Sequence, residues 1–335
     1  MKKTKLGVVL SGGGAKGAYE VGFLKALAEF NIQTEAIAGT SIGALNGAIY
    51  SAKKDTKTSA VLLEKLWLDL AKSNVLEVDK EKAVKTIIDV LMYIAPMANV
   101  TKLGKVLMLG AKGAKSDEGI LTQAPLINRL EQYAPLEELV NGLPFHIGLA
   151  KAKGHGIDLI NFLGLGNEET VYKKIQNLDK SEMYNAIMAS ASLPILFNSL
   201  EVEGEKYSDG CLSSTENEWG NTPIKPLIEE EGCTHIIICH LNEGSSFDRY
   251  DGLFKDTPII EIRPTAGTFS SVLDPLMFKV EKIDIWIEQG YKDARRILGE
   301  SFQALKNIEI RKARESMVDE SIDKLKKRKF SLTEF

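Results

Sequence analysis

The chain has 335 residues, 44% of them hydrophobic and 26% charged, the length and composition of a globular protein with a sizeable core. A formal net charge of -4 provides no global basic field for nucleic acid or an anionic membrane, so any such attraction has to come from a local patch. Cys211, Cys233 and Cys239 are odd in number and lack zinc-ribbon or C-x-x-C spacing, which argues against a disulfide framework and a thiolate metal site and points to a reducing cytoplasm.

In chain order, Lys2, Lys3 and Lys5 precede an apolar run at Leu6–Leu10 that is too short for a signal-peptide core and meets glycines. It predicts a buried strand. A glycine loop follows over residues 11–17, then a helix whose Val21, Leu24 and Leu27 recur on one face. A second buried strand is expected over 36–39. The small residues Ala44, Asn46, Gly47 and Ala48 then suggest a helix packed tightly against its neighbours. Residues 59–71 place Leu62, Leu66, Trp67 and Leu70 at helical spacing, and a helical, unusually apolar insertion is expected over about 79–133. Its uncharged run, 90–101, falls short of the ~20 residues a spanning helix needs and contains Pro96.

Strands are predicted at 145–150 and 157–163 as a hairpin, and a helix at 182–190. A small hairpin over 201–210, turning at Gly204, would deliver Asp209 to the start of a loop. Further buried strands are expected at 235–241 and 259–263, and helical patterns from Pro275 onward, including the charged 311–329. The expected organisation is an α/β domain over 1–300 and a charged helical tail over 301–335.

The glycine loop fits G-x-G-x-x-G through Gly12, Gly14 and Gly17, the dinucleotide fingerprint. A nucleotide fold would end the second strand in an acidic residue, whereas this one runs into Gly39-Thr40-Ser41. The Walker pattern fails because Gly17, not Ser or Thr, follows Lys16. What remains is a set of converging backbone N–H groups at a helix N-terminus, able to hold an oxyanion as readily as a phosphate.

Gly39–Gly43 reads G-T-S-I-G. In G-x-S-x-G the glycines remove side chains where strand bends sharply into helix, so the Ser41 hydroxyl stands at the tip. The plain alternative is that Ser41 caps the following helix. An ordinary α/β-hydrolase elbow follows several strands and is served by a later histidine, but Ser41 has room for only one earlier strand plus its own. Of the four histidines, His146 and His235 sit in predicted strands and His155 in a predicted turn. His240, near a strand's end, is the triad candidate, and a carboxylate base is the other option.

The G-G-G-A-K-G loop at residues 12–17, the elbow at 39–43, the A-S-A-S-L-P-I-L-F segment at 189–197 and Asp209-Gly210 occur in the order found in the patatin-like phospholipases, which the chain resembles over about 6–241. The resemblance implies a three-layer α/β/α fold with a helical insertion and C-terminal helices. It also implies a lipid acyl hydrolase with a Ser–Asp dyad: Ser41 as nucleophile, Asp209 as base, an acyl-enzyme, and no metal or cofactor. Backbone N–H groups of Gly13 and Gly14 would form the oxyanion hole with Gly12 shaping the loop, while Lys16, Gly17, Gly39, Gly43 and Gly210 support the motifs.

The implied substrate is a phospholipid, lysophospholipid or neutral glycerolipid, with no nucleic-acid partner. Peripheral contact with the inner membrane surface would run through the apolar insertion and the basic cluster Lys324, Lys326, Lys327, Arg328 and Lys329, although a solvated helix end explains that cluster as well. One departure is Cys211, where the family carries Gly or Ala. Rival expectations are a Ser–His–Asp esterase using His240, a lipid- or protein-binding scaffold with little turnover, and a nucleotide-binding protein.

Overall fold

A computed structural model describes residues 4–72, 123–153, 169–193, 197–213, 219–271 and 274–331. The expected strand at 157–163 and most of the expected insertion lie outside these residues.

The core is a mixed sheet of β1 (Leu6–Leu10), β2 (Ala36–Thr40), β3 (Phe145–Lys151), β4 (Thr170–Lys174), β5 (Leu200–Val202), β6 (Glu205–Asp209), β7 (His235–Cys239) and β8 (Ile259–Ile262). Its order is β5-β6-β3-β2-β1-β7-β8, and β4 pairs with β3 off this path. The strands β3, β2, β1, β7 and β8 run parallel to one another, which buries both of their faces.

Alternate residues along a strand point to opposite faces, and the apolar runs divide accordingly. Val8 and Leu10 of β1, Ile37 of β2, and Ile237 and Cys239 of β7 join the larger core. Val9, Ala36, Ala38, Ile236 and Ile238 join a smaller one with Ile224, Leu227, Phe247 and Phe254. The larger core is covered by α1 (Ala18–Glu29), α2 (Ile42–Lys53) and α3 (Thr56–Lys72), together with α4 (Ala124–Tyr133), α5 (Leu136–Val140) and α6 (Lys180–Ser190). Short α7 (Lys225–Glu229) lies on the other face, which completes three layers.

Val21, Leu24 and Leu27 of α1 are buried, as their spacing predicts. On α3 the buried stripe is Leu63, Leu66, Trp67 and Leu70, with Leu62 half-buried at its border, so the expected face is rotated by one residue. The antiparallel partners of β3 among the described residues are β4 and β6, both later in the chain than the expected second strand. The β5–β6 hairpin turns at Glu203 and Gly204, both at positive φ (52° and 78°), a mirror-image turn whose twist matches the flanking strands.

The C-terminal patterns form one helix, α8 (Val280–Ser331), 52 residues long and continuous across the expected boundary at residue 300. It crosses α1 at backbone contact, because a side chain at Gly22 would collide with the Ile287 carbonyl and one at Gly290 with the Tyr19 carbonyl. The Tyr19 hydroxyl donates to Asp293 Oδ2 at 3.0 Å across the same junction. Met317, Val318 and Ile322 are exposed farther along α8. Of the basic cluster, only the Lys324 side chain lies among the described residues, and it is exposed.

Candidate active site

The C-terminal ends of the parallel strands carry the candidate residues, where open α/β sheets form their ligand crevice. The glycine loop leaves β1, Ser41 follows β2, and β3 supplies the register that brings in Asp209. Gly148 of β3 pairs with Thr40 at the end of β2, and the next residue, Leu149, pairs with Asp209 at the end of β6. Because β4 occupies the other edge of β3 at these residues, Thr40 and Asp209 stand side by side.

Ser41 has φ 56° and ψ −125°, a backbone geometry that is rare for a residue with a side chain and costs on the order of 1–3 kcal/mol. Gly39 and Gly43 permit it by removing bulk. A Cβ at Gly43 would meet the Leu10 carbonyl, and one at Gly39 would meet the carbonyl of Gly43. Ser41 is the N-cap of α2, yet its hydroxyl makes no capping bond. Ser41 Oγ donates to Asp209 Oδ2 at 2.6 Å across 168 residues of sequence. The Ser41 N–H donates to Ser190 Oγ at 3.0 Å, and Ser190 Oγ donates to the Gly148 carbonyl at 2.7 Å. Ser190 thus ties the elbow to β3.

Asp209 is wholly buried, and Oδ1 accepts the Cys211 N–H at 2.9 Å. Burial raises its carboxyl to about 6, against the opposing pull of the hydrogen bonds from Ser41 and Cys211. A carboxyl near that value is a competent base at neutral pH, which an ordinary aspartate is not. Burial, with the Asp209 carboxylate close by, pushes the Cys211 thiol well above its usual range. Its Sγ donates to Asn221 Oδ1 at 3.0 Å, so Cys211 packs beside Asp209 as a neutral hydrogen-bonding group.

In the glycine loop, the Gly12 N–H is taken by Asn221 Oδ1 at 2.8 Å. Among the described residues no protein acceptor takes the N–H of Gly13 or Gly14. Lys16 is not a solvated cation. Its Nζ donates to the Leu241 carbonyl at 2.6 Å and lies 5.0 Å from the centre of the Phe269 ring, and burial lowers its pKa. Gly17 packs against Ile42 and Trp67, and Gly210 packs under the Gly148 carbonyl and Thr40.

His240 is buried elsewhere in the crevice, with Nε2 3.0 Å from Glu261 Oε2. Arg263 donates to the same oxygen through Nε at 3.0 Å. The structure therefore brings Ser41 to Asp209 and engages His240 with Glu261. Ser190, Asn46 and Asn221 escaped sequence reasoning as site residues. Ser190 lay inside the 189–197 segment, whereas a lone asparagine, whether buried like Asn46 or half-buried like Asn221, carries no motif.

An open α/β sheet with a strained serine elbow, a glycine loop and a buried aspartate defines a class, and the chain belongs to the patatin-like phospholipase family, whose profile matches residues 8–227. The chain is similar to the lysophospholipase nte1 of Aspergillus terreus, 54% identical over 50 residues, covering 15% of this chain and 3% of that protein. It is also similar to patatin-like phospholipase domain-containing protein 7 of Rattus norvegicus, 38% identical over 96 residues, covering 29% of this chain and 6% of that protein. The matches thus span a small fraction of these much longer relatives. Among solved structures, the chain is similar to ExoU of Pseudomonas aeruginosa in complex with SpcU, with a TM-score of 0.40 and 16% identity over 89% of this chain and 52% of that one. VipD from Legionella pneumophila gives a TM-score of 0.38 and 14% identity over 89% and 67%.

Proposed function

We propose that this protein hydrolyses carboxylic esters of glycerolipids, phospholipids or lysophospholipids among them, through a Ser41–Asp209 dyad. The observation that carries the proposal is the 2.6 Å hydrogen bond from Ser41 to a buried carboxylate at a strained elbow. Asp209 takes the Ser41 proton as Oγ attacks the ester carbonyl carbon. The N–H groups of Gly13 and Gly14 receive the oxyanion, and the dipole of the 12-residue α2 favours negative charge at the same place. Collapse expels the alcohol with its proton and leaves an acyl-Ser41. Water, deprotonated by Asp209, then releases the fatty acid and regenerates the serine.

The direct bond from the Ser41 hydroxyl to Asp209 favours this dyad over a histidine-based triad. Lipid esters follow from family membership and from relatives whose names include a lysophospholipase. No helix among the described residues is long and apolar enough to cross a membrane. The proposal includes peripheral contact with a lipid surface.

The test is a panel of phospholipids, lysophospholipids and acylglycerols assayed with wild type, Ser41→Ala, Asp209→Asn and His240→Ala, together with fluorophosphonate labelling. The proposal expects labelling at Ser41 and activity lost in the first two variants but kept in the third. An unlabelled, inactive wild type would mean a scaffold, and loss in His240→Ala alone would mean a histidine base. Vesicle co-sedimentation that is absent for the folded wild type would remove membrane contact.

A further inference from the structure

The glycine loop is held at each end by an asparagine. At its start, Asn221 Oδ1 accepts the Gly12 N–H at 2.8 Å and the Cys211 S–H at 3.0 Å. Cys211 also donates its N–H to Asp209 Oδ1, so Asn221 joins the loop to the segment carrying the base. At its end, Asn46 Nδ2 donates to the Gly17 carbonyl at 3.1 Å and to Glu20 Oε2 at 2.7 Å. Asn46 Oδ1 accepts the Trp67 Nε1–H at 3.0 Å. Asn46 lies in α2, the helix that starts directly after Ser41, and Asn46, Glu20 and Trp67 are all buried.

Asn46, a buried amide with its donors and acceptor engaged, has little freedom to move, since breaking any one bond strands a polar group away from water, and half-buried Asn221 gathers the Gly12 N–H and the Cys211 S–H on one amide oxygen. The two asparagines thus pin residues 12 and 17 to the elements that carry the base and the nucleophile. Asn221 also consumes the Gly12 N–H, which leaves those of Gly13 and Gly14 for a ligand.

We infer that Asn46 and Asn221 are positioning residues that aim the Gly13 and Gly14 N–H groups at the oxyanion, acting through the loop they hold. The inference rests on the acyl-transfer function proposed above. A displacement of ~1 Å at such a site costs about 10²-fold in rate. Asn46→Ala and Asn221→Ala are therefore expected to lower kcat about 10- to 100-fold on a short-chain p-nitrophenyl ester, with KM changed less than about threefold.

An alkyl trifluoromethyl ketone, which adds to serine as an anionic hemiketal, should lose affinity in proportion to kcat/KM, a response that general loosening of the fold would not give. Asn221→Asp keeps the acceptor for Gly12 and should recover part of kcat. Trp67→Phe removes the indole donor, at the cost of some ring volume, and keeps a ring against Phe278, so it tests the Asn46 end if Asn46→Ala fails to fold; about a three- to tenfold fall in kcat is expected. Folded variants of an active wild type that keep kcat within about twofold, or keep full ketone affinity, overturn the inference alone. An inactive wild type overturns it together with the proposed function.

Discussion

Replacing Asp209 by Asn should abolish turnover while making the protein more stable, and both effects trace to one buried carboxyl. Its value in the fold, about 6 against an ordinary 3.8, means that the native state holds the proton more tightly than the unfolded chain does. The associated stability is therefore fully present below pH 3.8 and is lost as the pH rises through about 6. Above neutrality the ionised group costs the fold about 3 kcal/mol. Asparagine carries no such cost. It can keep an acceptor for the Cys211 N–H and offer its amide to Ser41 Oγ, so both hydrogen bonds have substitutes. Urea melts at about pH 8 should then show Asp209→Asn stabilised by on the order of 2–3 kcal/mol, and the gain should vanish near about pH 4.

On the proposed mechanism the same carboxyl should set an acidic limb in the kcat/KM profile of the wild type, because only its ionised form can accept the Ser41 proton. Near pH 7 about nine-tenths of Asp209 is ionised and near pH 5 about one-tenth, so activity should fall roughly tenfold per pH unit below about 6. Asp209→Asn that keeps its turnover, or is less stable than wild type at pH 8, would refute this account. So would an acidic limb at the ordinary aspartate value.

Ser41→Ala should lose fluorophosphonate labelling and reduce hydrolysis by about 10³-fold or more, while its stability in urea at about pH 8 falls by on the order of 1–3 kcal/mol, since the buried Asp209 carboxylate loses its hydroxyl donor. Gly43→Ala forces a methyl group onto the Leu10 carbonyl and should destabilise by on the order of 3 kcal/mol, read as a lower urea midpoint at unchanged slope. His240→Gln should keep kcat within about threefold yet lose about 1–3 kcal/mol of stability through its bond to Glu261; a fall of about 10³ in kcat would identify His240 as the base.

Local sequence determined what neighbouring residues decide. The strands β1, β2, β7 and β8 could be read from continuous apolar runs, α1 from its buried period, and the β5–β6 turn from the conformational needs of Gly204. The bend at residues 39–43 was legible because only glycine tolerates the backbone approach made there by Gly43 and Leu10. Less was legible where faces compete, as on α3, whose half-buried Leu62 and buried Leu63 differ by one step around the helix. Sequence could not choose between Asp209 and His240 without the family resemblance, because each ends a strand and lies far along the chain from Ser41.

Tertiary structure decided which of the two Ser41 touches. Register along β3 sets Asp209 one residue beyond Thr40, whereas His240 leaves β7 on the far side of β1 and meets Glu261 of β8. The raised Asp209 carboxyl, the tethering of Lys16 to Leu241 and the asparagines at both ends of the glycine loop likewise depend on burial and on partners drawn from distant segments. These are properties of an environment that exists only once the chain has closed around it. No local window of residues contains them.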